Sequence, residues 1–269
     1  MTETAKLADI VLPAATFFER PEWIDYGQMI PMSPTVILQN QVVEPLGECW
    51  PDWKFWFSLG RKMGYEAYYP WSDVQEAIDW ELRPSGITFK QLMENPDGIE
   101  YGEVEPRKFE RDGFNTPSKK VEFYSKRLDK LGHEPLPIYT ESTETIASRP
   151  DLLSTYPFIL ITGARSEVYQ HSQFRQCPSL RNIVPDPRVE INTKTAQHLD
   201  IKDENMVRVD TLRGAIQLKA SVTDKILPEI IGVPHGWADA NVNALTDDVQ
   251  DPISGFPPFR ASLCKISKL

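Results

Sequence analysis

From Phe158 to the C-terminus the hydrophobic positions follow a β pattern. The apolar run Phe158-Ile159-Leu160-Ile161 is followed by segments in which apolar and polar residues alternate, such as Met206-Val207-Arg208-Val209 and Ala215 to Thr223. Alternation of period two puts one face of a strand on a core and the other in water. Strands are predicted at 158–162, 188–191, 206–211, 215–223, 230–233 and 261–266. Arg213-Gly214, between two alternating runs, marks a hairpin. A helix is predicted at 194–199 and a helical turn at 179–183. Short strands recurring at about ten-residue spacing point to a closed β-barrel, not a Rossmann sheet.

The first half reads differently. Trp53, Trp56, Phe57, Leu59, Gly60 and Met63 recur at helical spacing, which predicts an amphipathic helix over 52–64, with Asp52 as N-cap and Gly64 as the stop. Further helices are expected over WSDVQEAIDWEL, capped by Ser72, and over 88–94, capped by Thr88. Strands are expected at Ile10-Val11-Leu12, at Thr35 to Leu38 and at Lys120 to Tyr124, with loop over most of 23–41. Between 95 and 119 the periodicity is lost. The Pro-rich stretch from Gly132 to Pro157 is the best candidate for a linker. Two domains follow, 1–150 and 151–269.

The chain has 269 residues, a net charge of -10 and a pI near 5.0. Nucleic acid as a partner is disfavoured, because phosphate backbones call for a basic surface. No apolar run approaches the ~18 residues of a membrane span, and no secretory signal opens the chain. The expected environment is therefore soluble, in cytoplasm or periplasm. Cys49, Cys177 and Cys264 are far apart and form no CxxC pair, so no metal site of this chain is expected and buried reduced thiols are.

Candidate chemistry gathers in Tyr156 to Arg175, YPFILITGARSEVYQHSQFR. A buried strand empties at Thr162-Gly163 into a loop carrying Arg165, His171, Ser172, Gln173 and Arg175, groups that suit phosphate and nucleotide oxygens. A second strand, Ile230 to Val233, runs into Pro234-His235-Gly236-Trp237 and then Asn243-Ala244-Leu245-Thr246, so two loops of one barrel could converge on one ligand. Asn243 has an amide able to read a base or pterin edge, and Arg165 or Arg260 could meet phosphates. Ser–His hydrolysis is disfavoured, since no GxSxG elbow occurs.

Six motifs, in order, carry a resemblance: TETAKLADIVLPAATFFE; DW before a helix ending LGRKMG; FNTPSKKVEFYS; YPFILITGAR with HSQFR; VRVDTLRG; and VPHGW with NALT and DPISGFPPFR. Over nearly its whole length the chain resembles the C-terminal portion of molybdopterin oxidoreductases of the dimethyl sulfoxide reductase family. The resemblance implies an α/β fragment, the end of a Rossmann-like third domain, followed by a mainly β domain. That second part would be a six-stranded double-psi β-barrel covering a bis-molybdopterin guanine dinucleotide with molybdenum or tungsten. It also implies that Thr162, Gly163, Arg165, His171, Ser172, His235, Asn243 and Arg260 face the cofactor and that Trp237 flanks the same surface, with no catalytic or metal-ligating residue here.

Arg260 stands where the family commonly has Lys, and the glycine-free turn before VRV puts Asn205 at a positive φ. The first two domains, the cysteine cluster for an iron–sulfur centre and the metal-ligating residue lie outside this sequence. On this reading the partner is the missing N-terminal part of the same enzyme, or a split-gene partner. The alternative is a stand-alone cofactor-binding or assembly module that completes a partner's active site.

Overall fold

The computed structural model describes residues 2–25, 33–163, 166–259 and 262–269. The chain divides into two compact units, one of Ala8–Leu131 and one of Gly132–Leu269 together with the N-terminal residues up to Leu7.

In the first unit β1 (Glu22–Asp25), β2 (Thr35–Gln39) and β3 (Ile99–Glu100) form an antiparallel sheet in that order. Val36 and Leu38 alternate onto its covered face, where they pack with Ile78 and Leu82 of the helix Val74–Leu82 and with Phe89 and Leu92 of the helix Phe89–Glu94. Thr88 is the N-cap of the latter in a full capping box with Gln91.

Several expectations for this unit are corrected. Ile10 to Leu12 is not a strand: the three side chains are 78%, 47% and 60% exposed, and pairing begins only at the Ala14–Trp50 bridge, beyond Pro13, which has no N–H to donate. Lys120 to Tyr124 is not a strand either. The Lys119 and Lys120 carbonyls are taken by Phe114 N–H and the Thr116 hydroxyl, so this stretch closes on itself and leaves Phe123 exposed. Glu22–Asp25 and Ile99–Glu100, expected as loop and aperiodic chain, are strands. Asp52 is the first helical residue of Asp52–Lys62, behind Pro51, where its charge meets the positive end of the helix dipole. The cap of the next helix is Asp73, one residue past Ser72.

The second unit holds β4 (Phe158–Ile161), β5 (Arg188–Asn192), β6 (Met206–Asp210), β7 (Ala215–Thr223), β8 (Ile230–Gly232) and β9 (Ser262–Lys268). They close into a double-psi β-barrel in the order β4-β8-β5-β7-β6-β9, with parallel pairing of β4 with β8 and of β5 with β7. The interior positions that the alternation marks in four of the strands hold aliphatic side chains, Val189 and Ile191 from β5, Val207 and Val209 from β6, Leu218 and Ala220 from β7 and Ile231 from β8, while β9 contributes buried Ser262 and Cys264. Full closure leaves no strand edge exposed.

Three details refine the expected pattern. Gly132 to Pro157 belongs to the barrel unit, where buried Glu144 accepts a hydrogen bond from Leu263 N at 2.8 Å and pairs with Arg213. The positive φ before β6 falls on Asp200 and Glu204, not Asn205, whose side chain accepts from Lys202 N. Of the three thiols, none in a disulfide, only Cys264 is buried.

Candidate cofactor site

Strand pairing decides where the polar loops go. Because β4 and β8 are parallel, with Ile161 opposite Gly232, both chains leave the barrel at the same end, and Val233 N donates to the Ile161 carbonyl at 2.9 Å. β9 runs antiparallel to β4, so the segment before it enters at that end too, and the Thr162 hydroxyl donates to the Phe259 carbonyl. The β6–β7 hairpin turns over at this end as well. The Thr211 hydroxyl there donates to the Leu245 carbonyl, bringing 242–246 onto the rim.

The loops after β4 and β8 touch. His171 Nδ1 and His235 Nε2 lie 3.0 Å apart, with ring centroids at 4.8 Å. Gly236, at φ 82°, comes so close that a Cβ there would lie 2.7 Å from the backbone of His171. Between Gln170 and Gln173 the first loop makes a tight turn, and His171 and Phe174 both hold φ near +60°, at 53° and 68°. Such conformations in non-glycine residues cost of order 1–3 kcal/mol each and persist where the surroundings impose them.

Arg175 imposes much of this. Only 8% exposed, it lies over the Trp237 ring at 3.8 Å and the Tyr169 ring at 4.4 Å, and those rings meet edge-on at 90°. Its Nε donates to the His171 carbonyl and its Nη2 to the His235 carbonyl, both at 3.1 Å, so one guanidinium ties both loops. Nη1 is buried and has no hydrogen-bond partner. Burial holds the arginine below its ordinary pKa, but a guanidinium starts so high that it remains a cation. A cavity of about 180 Å³ opens among Ser166, Tyr169, Gln170, His171, Arg175 and His235.

The other expected site residues are placed as follows. Thr162 is buried and spends its hydroxyl on Phe259, Gly163 is exposed directly after it, and Ser172 is exposed beside His171. Asn243 is exposed on the short 3₁₀ turn Val242–Ala244, whose cap is the side chain of Asn241. Arg165 and Arg260 lie outside the described residues. Arg175 was expected in the first loop and Trp237 beside His235, whereas Tyr169 was given no role. Nothing in the sequence signalled that Arg175 would be buried between the two rings and hold both loops. Among the described residues, no group of three or more His, Cys, Asp or Glu is placed to hold a metal. A cavity lined by Arg175 and by polar side chains suits the oxygen-rich, anionic body of a pterin dinucleotide.

The closed barrel with its polar loops at one rim defines a dinucleotide-binding domain, and residues 158–263 match the family model of the molydopterin dinucleotide binding domain, while residues 1–62 match that of molybdopterin oxidoreductase. The chain belongs to the molybdopterin oxidoreductase family, and the cofactor that goes with it is a molybdenum or tungsten bis-molybdopterin. It is 37% identical to acetylene hydratase of Syntrophotalea acetylenica over 98% of this chain and 38% of that protein. It is 31% identical to the F420-dependent formate dehydrogenase subunit alpha of Methanocaldococcus jannaschii over 100% of this chain and again 38% of the relative. The solved structure of acetylene hydratase from Pelobacter acetylenicus superposes with a TM-score of 0.89 at 32% identity, covering 100% of this chain and 39% of the other. This chain thus spans well under half the length of these relatives. No helix among the described residues is long and apolar enough to cross a membrane.

Proposed function

We propose that the barrel clamps the guanine dinucleotide of a bis-molybdopterin cofactor through the rim where the loops after β4 and β8 meet. The observation that carries this reading is the parallel β4–β8 pair, which delivers His171 and His235 side by side. On this reading Thr162, Gly163, Arg165, His171, Ser172, His235, Asn243 and Arg260 face the cofactor, and Arg175 joins them as the residue that holds both loops. When bound, the cofactor would supply the metal at which the whole enzyme works. This chain's own groups bind, orient and screen from water.

The first unit supports a role as part of a larger body. Ile10, Leu12, Val42, Leu46 and Met63 are each at least 60% exposed, and Leu12, Trp50, Phe55, Trp56 and Leu59 line an open apolar groove of about 680 Å³. Exposed apolar surface on this scale marks an interaction site. We assign it to the amino-terminal part of the same enzyme, or to a separately encoded equivalent. A stand-alone module would be expected to hide such a surface.

For the reaction, two-electron redox chemistry or oxygen-atom transfer is the family's usual work, whereas the likeness to acetylene hydratase favours hydration as a second reading. The test is cofactor retention. Chain produced anaerobically in a host that makes the dinucleotide is denatured, and guanosine monophosphate and oxidised pterin fluorescence are measured per chain. The expected result is near-zero content for the chain alone and two nucleotides per assembly when the amino-terminal domains are co-produced. Full retention by the chain alone would support the stand-alone module, and none in the assembly would reject the clamp.

A further inference from the structure

Among the described residues, Arg175 is a buried cation with no anion. Its two bonded nitrogens reach backbone carbonyls, its faces are covered by Tyr169 and Trp237, and no carboxylate of the described residues pairs with it. Neutral carbonyls satisfy hydrogen-bond geometry but not charge, and a desolvated charge without a counter-charge is among the more costly arrangements a fold can hold. Nη1 remains a buried donor without an acceptor. Around the cavity before it stand donors or groups able to become donors: the Ser166 hydroxyl, the Gln170 amide and the imidazoles of His171 and His235. Among the described residues no carboxylate partners Arg175, while the cavity it lines leaves space for one.

From this juxtaposition we infer an oxyanion subsite: the cavity bounded by Ser166, Gln170, His171, Arg175 and His235 takes a phosphate-like or carboxylate-like group that supplies the counter-charge to the Arg175 guanidinium. Binding would neutralise the guanidinium and tie the loops after β4 and β8 together a second time, through the ligand as well as through Arg175. The anion could be the diphosphate of a bound nucleotide or a small free oxyanion. The inference rests on the reading of these loops as cofactor-facing only in the first of these cases.

The test is made on the full chain labelled with ¹⁵N-arginine. The Nε–H signal of Arg175, displaced by the ring currents of Tyr169 and Trp237, is assigned by its loss in Arg175→Lys, and inorganic pyrophosphate, inorganic phosphate and guanosine diphosphate are titrated in turn at constant ionic strength set with chloride. A saturable shift of that signal with pyrophosphate or phosphate is expected, with Arg175→Lys weakening the apparent affinity at least about tenfold in thermal-shift measurements. Tighter binding of guanosine diphosphate than of pyrophosphate identifies the nucleotide source, and equal binding identifies a free oxyanion. An unchanged signal, or one that follows chloride alone, overturns the subsite. If Arg175→Lys fails to fold, the wild-type titration decides by itself, with the signal assigned from its contacts to the aromatic protons of Trp237. The experiment needs neither cofactor nor further domains, so its failure and failure of the cofactor-retention test are separate results.

Discussion

His171 Nδ1 and His235 Nε2 sit 3.0 Å apart although 64 residues separate them, one from the loop after β4 and the other from the loop after β8. The contact needs one ring to donate and the other to accept. Replacing His235 by Phe keeps an aromatic ring and removes the hydrogen bond, which should cost about 0.5–1.5 kcal/mol of stability. The expected signature is faster amide exchange within 170–175 with the barrel strands unaffected, and unchanged exchange there would argue against the coupling.

Gly236 should tolerate no side chain. At φ 82° and with the His171 backbone 2.7 Å from a would-be Cβ, Gly236→Ala combines backbone strain with a collision. A loss of about 1–3 kcal/mol is expected in denaturant titration, whereas Gly132→Ala, also at positive φ but facing open space, should cost less.

Glu144 fastens the segment after Gly132 to the barrel by its pair with Arg213 and its bond from Leu263 N. Glu144→Ala leaves a buried N–H unmet and gives Arg213 only Asp247 as a partner. A destabilisation of about 2–4 kcal/mol is predicted. Proteolysis that begins within 132–157 in the variant, and elsewhere in the parent, would check it.

Burial pushes the Cys264 thiol well above its usual pKa, while Cys49 and Cys177 are only partly buried. A thiol held above its unfolded value is favoured as the neutral form, so Cys264 favours the folded state as pH rises less and less: its stability contribution is present below the unfolded pKa and fades above it. In neutral buffer the native chain should therefore modify at no more than two thiols with a disulfide reagent, and at three when unfolded. Rapid native reaction of all three would contradict the barrel packing.

The exposed apolar side chains of the first unit, Leu12 at 60%, Val42 at 65% and Leu46 at 79%, predict that the isolated chain binds a hydrophobic dye and self-associates as concentration rises. Leu46→Asp together with Val42→Lys should reduce both while leaving the melting temperature within a few degrees. Dye binding unchanged by the pair would place the sticky surface elsewhere.

The barrel was legible because its alternation is strict: Val207, Val209, Ile216, Leu218 and Ala220 are all interior, as period two requires. The first unit was less so, because its strands are short and their identity is tertiary. Glu22–Asp25 contains only two apolar residues and becomes a strand through its partner β2, whereas the more apolar Ile10 to Leu12 pairs with no strand among the described residues and stays exposed. The site divides in the same way. His171 and His235 could be named from their loops, but the parallel pairing that joins them is a property of strand order, which sequence pattern does not encode. Arg175 could be named with its loop too, but not its role, because its two carbonyl acceptors and two aromatic faces are shared between that loop and the distant one after β8.

Barrel closure also has a temporal side. Ile159 pairs on one edge with Ile230 and on the other with Leu263, about 70 and about 100 residues downstream. As the chain is synthesised, β4 therefore waits with both edges bare while nearly the whole domain emerges, and no early hairpin can shelter it. The rim loops acquire their positions only after that wait. Any large ligand they hold must arrive at a finished barrel, which makes loading an event of the mature protein.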